Sequence, residues 1–86
     1  MMTVYQITVP STIPNANKAW HVVLNLQDMN GVWAIMTQQN VCYYEFVLIV
    51  EDIKTQIYPL DYVKRRLKDI TITILKEDDK RKSGVF

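Results

Sequence analysis

The sequence predicts an α+β protein that is mostly β, with a curled antiparallel sheet or small barrel of five to six strands and one short helix before the last strand. The segment from Val41 to Val50 is β-branched and aromatic almost throughout and contains no glycine or proline, which is typical of a strand. Residues 3–9, 20–27 and 70–74 alternate between apolar and polar side chains, which also indicates strands. Only the stretch beginning near residue 60 has clear helical spacing, so we expect strands to dominate.

The first strand is predicted over residues 3–9, where every second side chain from Tyr5 to Val9 is apolar. Pro10 ends this alternation. Residues 11–18 contain another proline and two asparagines, so they are predicted to form a loop.

Residues 20–27 have two interpretations. The alternation, followed by a segment ending in Asn-Gly at Gly31, favours a strand and a hairpin turn. Alternatively, residues 15–30 form a helix with Pro14 in the first turn and Gly31 as the C-terminal cap. That helix would give the order βαββαβ, the ferredoxin-like arrangement that also underlies RNA-recognition domains. We prefer the strand, because the segment contains a Val-Val pair and an asparagine, which are poor helix formers.

The segment over residues 41–50 is predicted to be the strand around which the rest of the fold is arranged. Residues 32–37 form the strand before it, and residues 38–40 form a short turn between the two. Both faces of the strand over residues 41–50 are largely apolar, so we expect both to be covered.

A turn over residues 51–54 and a short extended piece over residues 55–58 are predicted next. A short helix from residue 60 follows, because four apolar side chains share one of its faces: Leu60, Val63, Leu67 and Ile70. Around the start of this helix, the segment Pro59-Leu60-Asp61-Tyr62-Val63 resembles the Pro-x-x-Tyr-Val segment before the final strand of SH3 domains. The resemblance covers these few residues and implies an SH3-like barrel.

The chain of 86 residues predicts one globular domain over residues 1–76, followed by a disordered charged tail over residues 77–86. The N-terminus lacks the basic and apolar regions of a signal peptide, and the apolar run at residues 46–50 is too short to cross a bilayer. We therefore expect a cytoplasmic protein without membrane contact.

Charge is unevenly distributed along the chain. Residues 1–50 carry three charged side chains with a net charge of −1, whereas residues 51–86 carry nine basic and seven acidic side chains, a net charge of +2. The formal net charge of +1 gives no overall attraction to nucleic acid. A region so poor in charge predicts that part of its surface is hidden by a partner or a second copy.

Candidate catalytic and metal-binding residues are few. His21 is the only histidine, and no side chain that would orient it as a base can be identified from the sequence. Cys42 is the only cysteine and lies in the most apolar stretch, where burial would make its thiol inert. The sequence therefore predicts a protein that is not an enzyme and has no metal or cofactor.

A basic group over residues 60–68 is the candidate nucleic-acid site. Its cations would hold phosphates and Tyr62 would stack on a base. The group consists of Tyr62, Lys64, Arg65, Arg66 and Lys68.

Aromatic side chains in the charge-poor half are the candidate protein interface: Trp20, Trp33, Tyr43 and Tyr44. The first functional hypothesis is a small non-catalytic protein–protein interaction module, an adaptor or inhibitor that masks a partner surface and self-associates as a homo-oligomer. The alternative is a nucleic-acid-binding module that uses the basic helix.

Overall fold

The computed structural model describes residues 2–51 and 57–78. In chain order the elements are β1 (Met2–Pro10), α1 (Ile13–Ala16), α2 (Lys18–Gln27), β2 (Val32–Gln39), β3 (Tyr43–Val50), α3 (Ile57–Arg66) and β4 (Thr71–Asp78). The strands form one antiparallel sheet in the order β2-β3-β1-β4. This is the βαββαβ arrangement of ferredoxin-like proteins, which the sequence offered as the alternative fold.

The preferred interpretation of residues 20–27 as a strand is wrong, because they belong to α2. The helix buries four side chains at i, i+3, i+4 and i+7 spacing: Ala19, Val22, Val23 and Leu26. Trp20 and Leu24 are apolar but exposed, and they produced the apparent alternation. The segment before β2 therefore connects a helix to a strand and is not a hairpin turn. In it, Gly31 adopts a φ of +74°, a conformation that favours glycine.

The predicted count of five to six strands is also wrong for the described residues, which contain four. The segment over residues 20–27 is helical, and α3 already begins at Ile57, inside the predicted extended piece. The SH3-like barrel is not confirmed, because β2 and β4 are the two edges of an open sheet. The α+β class and the short helix before the last strand are confirmed.

The core lies between one face of the sheet and the helices. Alternate residues of β1 and β3, including Ile7, Phe46 and Leu48, are buried against apolar side chains of α2 and α3. β3 pairs with β1 on one side and with β2 on the other, so it is an inner strand of the sheet. Within the described ranges the helices contribute to the core on one face only. The odd-numbered side chains of β3 on the other face are only half-buried, so the described residues do not fully cover that face.

The C-terminal elements largely follow the sequence prediction. Val63 and Leu67 are buried, as expected for the apolar face of α3 and the residue that follows it. β4 begins at Thr71 and runs to Asp78, so it includes the first two residues of the predicted tail. The remainder of that tail, and most of the turn and extended piece predicted before α3, lie outside the described residues.

The chain bends sharply between β2 and β3. The Asn40 side-chain oxygen Oδ1 accepts the backbone N–H groups of Cys42 and Tyr43, each at 2.9 Å. Cys42 is exposed in this turn, so its predicted burial is wrong: the strand begins one residue later, at Tyr43. No helix in the described part of the chain is both long and apolar enough to span a bilayer.

Candidate interaction surfaces on the sheet

The face of the sheet opposite the core, which we call the open face, is divided into an apolar and a polar half. Along β2 and β3 it presents Trp33 beside Ile49 and Ile35 beside Val47, which are cross-strand partners. Trp33 is 53% exposed and Ile35 is 62% exposed. Along β1 and β4 the corresponding face is mainly polar, with pairs such as Gln6 beside Thr73.

The apolar half contains a groove of about 430 Å³. It is lined by Gln27, Val32, Trp33, Ala34, Ile35, Val47 and Ile49. None of these side chains is charged. A cavity of this size and lining is within the range that proteins use to hold apolar groups.

Helix α2 covers part of the free edge of β2. The Gln27 side chain donates from Nε2 to the Ala34 carbonyl oxygen at 2.7 Å. The Trp20 indole nitrogen Nε1 donates to the Gln39 side-chain oxygen at 3.1 Å. The contact from Gln27 occupies a backbone acceptor of β2, which reduces the capacity of this edge to pair with another strand, whereas the contact from Trp20 joins two side chains.

The four residues predicted for the protein interface do not form one surface. Trp33 and Tyr43 lie on the open face, where the Tyr43 hydroxyl is hydrogen-bonded to Gln38 at 3.0 Å. Tyr44 is only 8% exposed and packs in the core, with its hydroxyl donating to the Ala16 carbonyl. Trp20 lies on α2.

Ile35, Val47 and Ile49 complete the apolar half of the open face, and sequence reasoning missed them as site residues. They share a face with Trp33 by strand alternation. The sequence feature that indicates them is that β3 is largely apolar on both faces. The sequence does not show which of the two faces the helices cover, so it does not show which face is exposed.

The residues predicted to bind nucleic acid do lie together around α3, but several of them already contact other side chains of this protein. Arg65 Nε is 2.8 Å from Asp61 Oδ2. The Arg66 guanidinium lies 5.2 Å from the centre of the Tyr62 ring, and the Tyr62 hydroxyl accepts a hydrogen bond from Asn25 at 2.6 Å. A base stacking on Tyr62 would have to compete with Arg66. Lys64 and Lys68 are exposed.

His21 is exposed on α2, and Cys42 is exposed in the turn before β3. Across residues 2–51 and 57–78, no group of three or more histidine, cysteine, aspartate and glutamate side chains is placed to hold a metal ion.

No model of a known protein family matches this chain, and no curated protein matches it. In structure it is similar to the de novo designed protein Foldit4, with a TM-score of 0.60, 11% identity, and coverage of 91% of this chain and 100% of the design. It is also similar to a C-terminal segment of the alpha subunit of aIF2 from Pyrococcus abyssi, with a TM-score of 0.50 and 9% identity. That match covers 92% of this chain and 51% of the segment, so the chain spans about half of its length. At these identities the likeness shows the fold alone.

Proposed function

We propose that this chain is a non-catalytic protein–protein interaction module that binds an apolar, uncharged segment of another protein on the apolar half of its open face. The observation that carries the proposal is the uncharged groove between Trp33, Ile35, Val47 and Ile49, flanked by a polar half of the same face. The module would act as an adaptor or inhibitor by covering the bound segment. The cytoplasmic location expected from the sequence belongs to this proposal.

The chemistry of the groove favours an apolar partner. The described side chains that line it carry no charge with which to hold an acidic or basic group, and Gln27 contributes a polar amide among them. Apolar side chains from a partner would gain by leaving water, at about 25 cal/mol per Å² of buried apolar surface.

The size of the groove favours a short segment over a large domain. A standard protein interface buries about 800 Å² on each partner and involves some twenty residues or more. The apolar half of the open face is formed by a few side chains on two strands and is therefore suited to a limited contact centred on Trp33.

A selection from displayed random linear peptides would test the proposal with the full chain as target. We expect the selected peptides to be rich in aliphatic residues, to lack charge, and to shift the amide NMR signals of β2 and β3. Replacing Trp33 with serine should weaken their binding by about tenfold or more, because a central aromatic anchor typically contributes about 2 kcal/mol.

Trp20→Ser provides the matched control, since Trp20 is also a partly exposed tryptophan but lies on α2. It should leave peptide affinity unchanged. The proposal is overturned if no peptide is selected, or if the selected peptides bind the Trp33→Ser protein as tightly as the original.

A further inference from the structure

The second edge of the sheet, β4, differs from the β2 edge in how it is covered. β4 pairs with β1 on its inner side and has no strand on its outer side within the described residues. No hydrogen bond like that from Gln27 to Ala34 is found on its outer side in the described ranges. Unpaired N–H and C=O groups along a strand edge are a template for another strand.

The hydrogen-bonding pattern identifies which backbone groups are turned outward. Ser11 N–H donates to the Cys42 carbonyl, which fixes the odd-numbered residues of β1 as the ones bonded to β3. Gln6 and Thr8 therefore direct their backbone groups towards their partners Thr73 and Thr71 on β4. The alternation then turns the backbone groups of the intervening residue Ile72, and of Ile74, away from β1. It holds from Thr71 to Ile74, because the register between β1 and β4 shifts by one residue at Leu75, between the pairs Tyr5–Ile74 and Val4–Lys76.

The side chains next to these outward groups are apolar and incompletely covered. Ile74 is the partner of the buried Tyr5 and lies on the core side of the sheet, yet it is 56% exposed. Ile72 is half-buried at the same edge, next to Ile7. The core-side residues of β4 are thus only partly buried, whereas Val32 and Ala34 on the core side of β2 are buried.

We propose that two copies of this chain pair antiparallel through β4, about a two-fold axis at Thr73, to form a continuous eight-stranded sheet. In this register Ile72 of each copy lies directly opposite Ile74 of the other. The outward backbone groups of these two residues then form two hydrogen-bonded pairs, and the Thr73 side chains meet between them on the open face.

A second copy suits this edge because the edge is complementary to itself. A two-fold antiparallel pairing brings each exposed isoleucine against an isoleucine, so both unfinished ends of the core are completed at once. The same axis keeps the two open faces on one side of the joined sheet. The dimer would present two grooves, one near each end, without covering either.

Cross-linking tests the register directly, in the full chain with Cys42 replaced by serine. Thr73→Cys would place two thiols on the dimer axis, where the Cα atoms of a non-hydrogen-bonded pair lie about 4.5 Å apart. That distance is within the range for a disulfide. We expect Thr73→Cys to form a covalent dimer on mild oxidation.

Thr71→Cys is the matched control, because it is an exposed threonine on the same strand and the same face. In the proposed register the two Thr71 positions are offset by four residues, about 13 Å, which is too far for a disulfide. Equal cross-linking of both variants, or none from Thr73→Cys, overturns the proposal.

Sedimentation of charge variants tests the edge without a cross-link. Ile74→Lys and Ile74→Glu should each weaken dimerisation by about tenfold or more, because like charges would meet diagonally across the axis. A mixture of the two variants should recover dimers. A wild-type chain that stays monomeric at all concentrations, or a Lys and Glu mixture that stays monomeric, overturns the proposal.

Failure of this proposal is distinguishable from failure of the groove. The Trp33→Ser protein should still form the Thr73→Cys cross-link, and Ile74→Lys should still bind the selected peptides. If Ile74→Lys forms dimers as well as the original chain and Trp33→Ser does not, the copies meet through the open face and the β4 proposal is overturned.

Discussion

Asn15 connects parts of the chain that lie 53 residues apart in the sequence. Its side chain is fully buried, and Nδ2 donates to the carbonyls of Pro10 at 3.1 Å and Lys68 at 2.9 Å. Its Oδ1 accepts the Lys68 backbone N–H at 2.9 Å. One amide thus joins the end of β1 to the loop that leads into β4. This role could not be predicted from the sequence, because an asparagine near a proline is typical of an exposed loop.

Replacing Asn15 with alanine should reduce the free energy of unfolding by about 3 kcal/mol. The change removes three hydrogen bonds and leaves partly buried backbone groups of Pro10 and Lys68 without these partners, which adds to the loss of the bonds themselves. Urea unfolding followed by circular dichroism measures the loss. Asn17→Ala is the control, since Asn17 is exposed and its side chain makes no helix-capping hydrogen bond. Equal losses for the two variants would contradict the role of Asn15.

Tyr5 should make the stability of the protein sensitive to alkali. Burial raises the pKa of its hydroxyl above the ordinary value of 10.0, and the nearby Glu77 carboxylate raises it further, while a hydrogen bond with Thr3 acts in the opposite direction. The folded state therefore holds this proton more tightly than the unfolded state does. The resulting stability is fully present below pH 10 and is lost as the pH rises through the folded-state pKa.

Thermal melts between neutral pH and pH 11 or so would measure this dependence. We expect the alkaline fall in melting temperature to be shallower in Tyr5→Phe and, to a smaller extent, in Glu77→Gln. Tyr58→Phe is the control for removing a tyrosine hydroxyl, because Tyr58 is 63% exposed. An unchanged fall in Tyr5→Phe would show that another group is responsible.

Among the elements, the strands and α3 were predictable from the sequence because their patterns have one interpretation. β1 alternates cleanly, β3 is β-branched and aromatic, and α3 has its apolar residues at helical spacing. Each of these patterns reports directly on burial, which the structure bears out. The order of the strands could not be read from them, since pairing depends on how the helices cross the sheet.

The strand prediction for α2 failed because the solvent-exposed side of this helix mixes apolar with polar residues. Trp20 and Leu24 are exposed, so apolar residues occur on more than one side of the helix and imitate the alternation of a strand. The helical spacing of the four buried residues was present, but the β-branched Val22 and Val23 lower helix propensity. Packing against the sheet outweighs that local preference, as tertiary contacts commonly do.

For the whole molecule, the placement of α2 decides where an interaction surface can lie. With α2 and α3 on one side, the charge-poor first part of the chain divides between the core and the open face. The uneven distribution of charge along the sequence predicts that a partner or a second copy hides part of the surface. It could not predict that Tyr44 would be in the core and Trp33 on the surface, because adjacent strand positions differ only in which face they occupy.

The nucleic-acid alternative makes a prediction at this scale that can be tested by fluorescence anisotropy. Labelled single-stranded DNA, duplex DNA and RNA should bind no more tightly than the weak, non-specific level, even at low salt. Arg65 is paired with Asp61, and Arg66 lies over Tyr62, so two of the four cations and the stacking ring have partners within α3. The formal net charge of +1 adds no long-range attraction.

The double variant Arg65→Ala with Arg66→Ala distinguishes weak, non-specific binding from binding of nucleic acid by α3. If α3 is not a phosphate-binding surface, the variant should leave the weak anisotropy signal almost unchanged and only a slight stability loss should follow, because an exposed ion pair contributes at most about 1 kcal/mol. Binding at micromolar concentrations or tighter, steeply reduced by salt and lost in the double variant, would instead make nucleic acid the first hypothesis. Lys64 and Lys68 would then be the next residues to replace. Both are exposed, and within the described residues neither takes part in the contacts of Arg65 with Asp61 and of Arg66 with Tyr62.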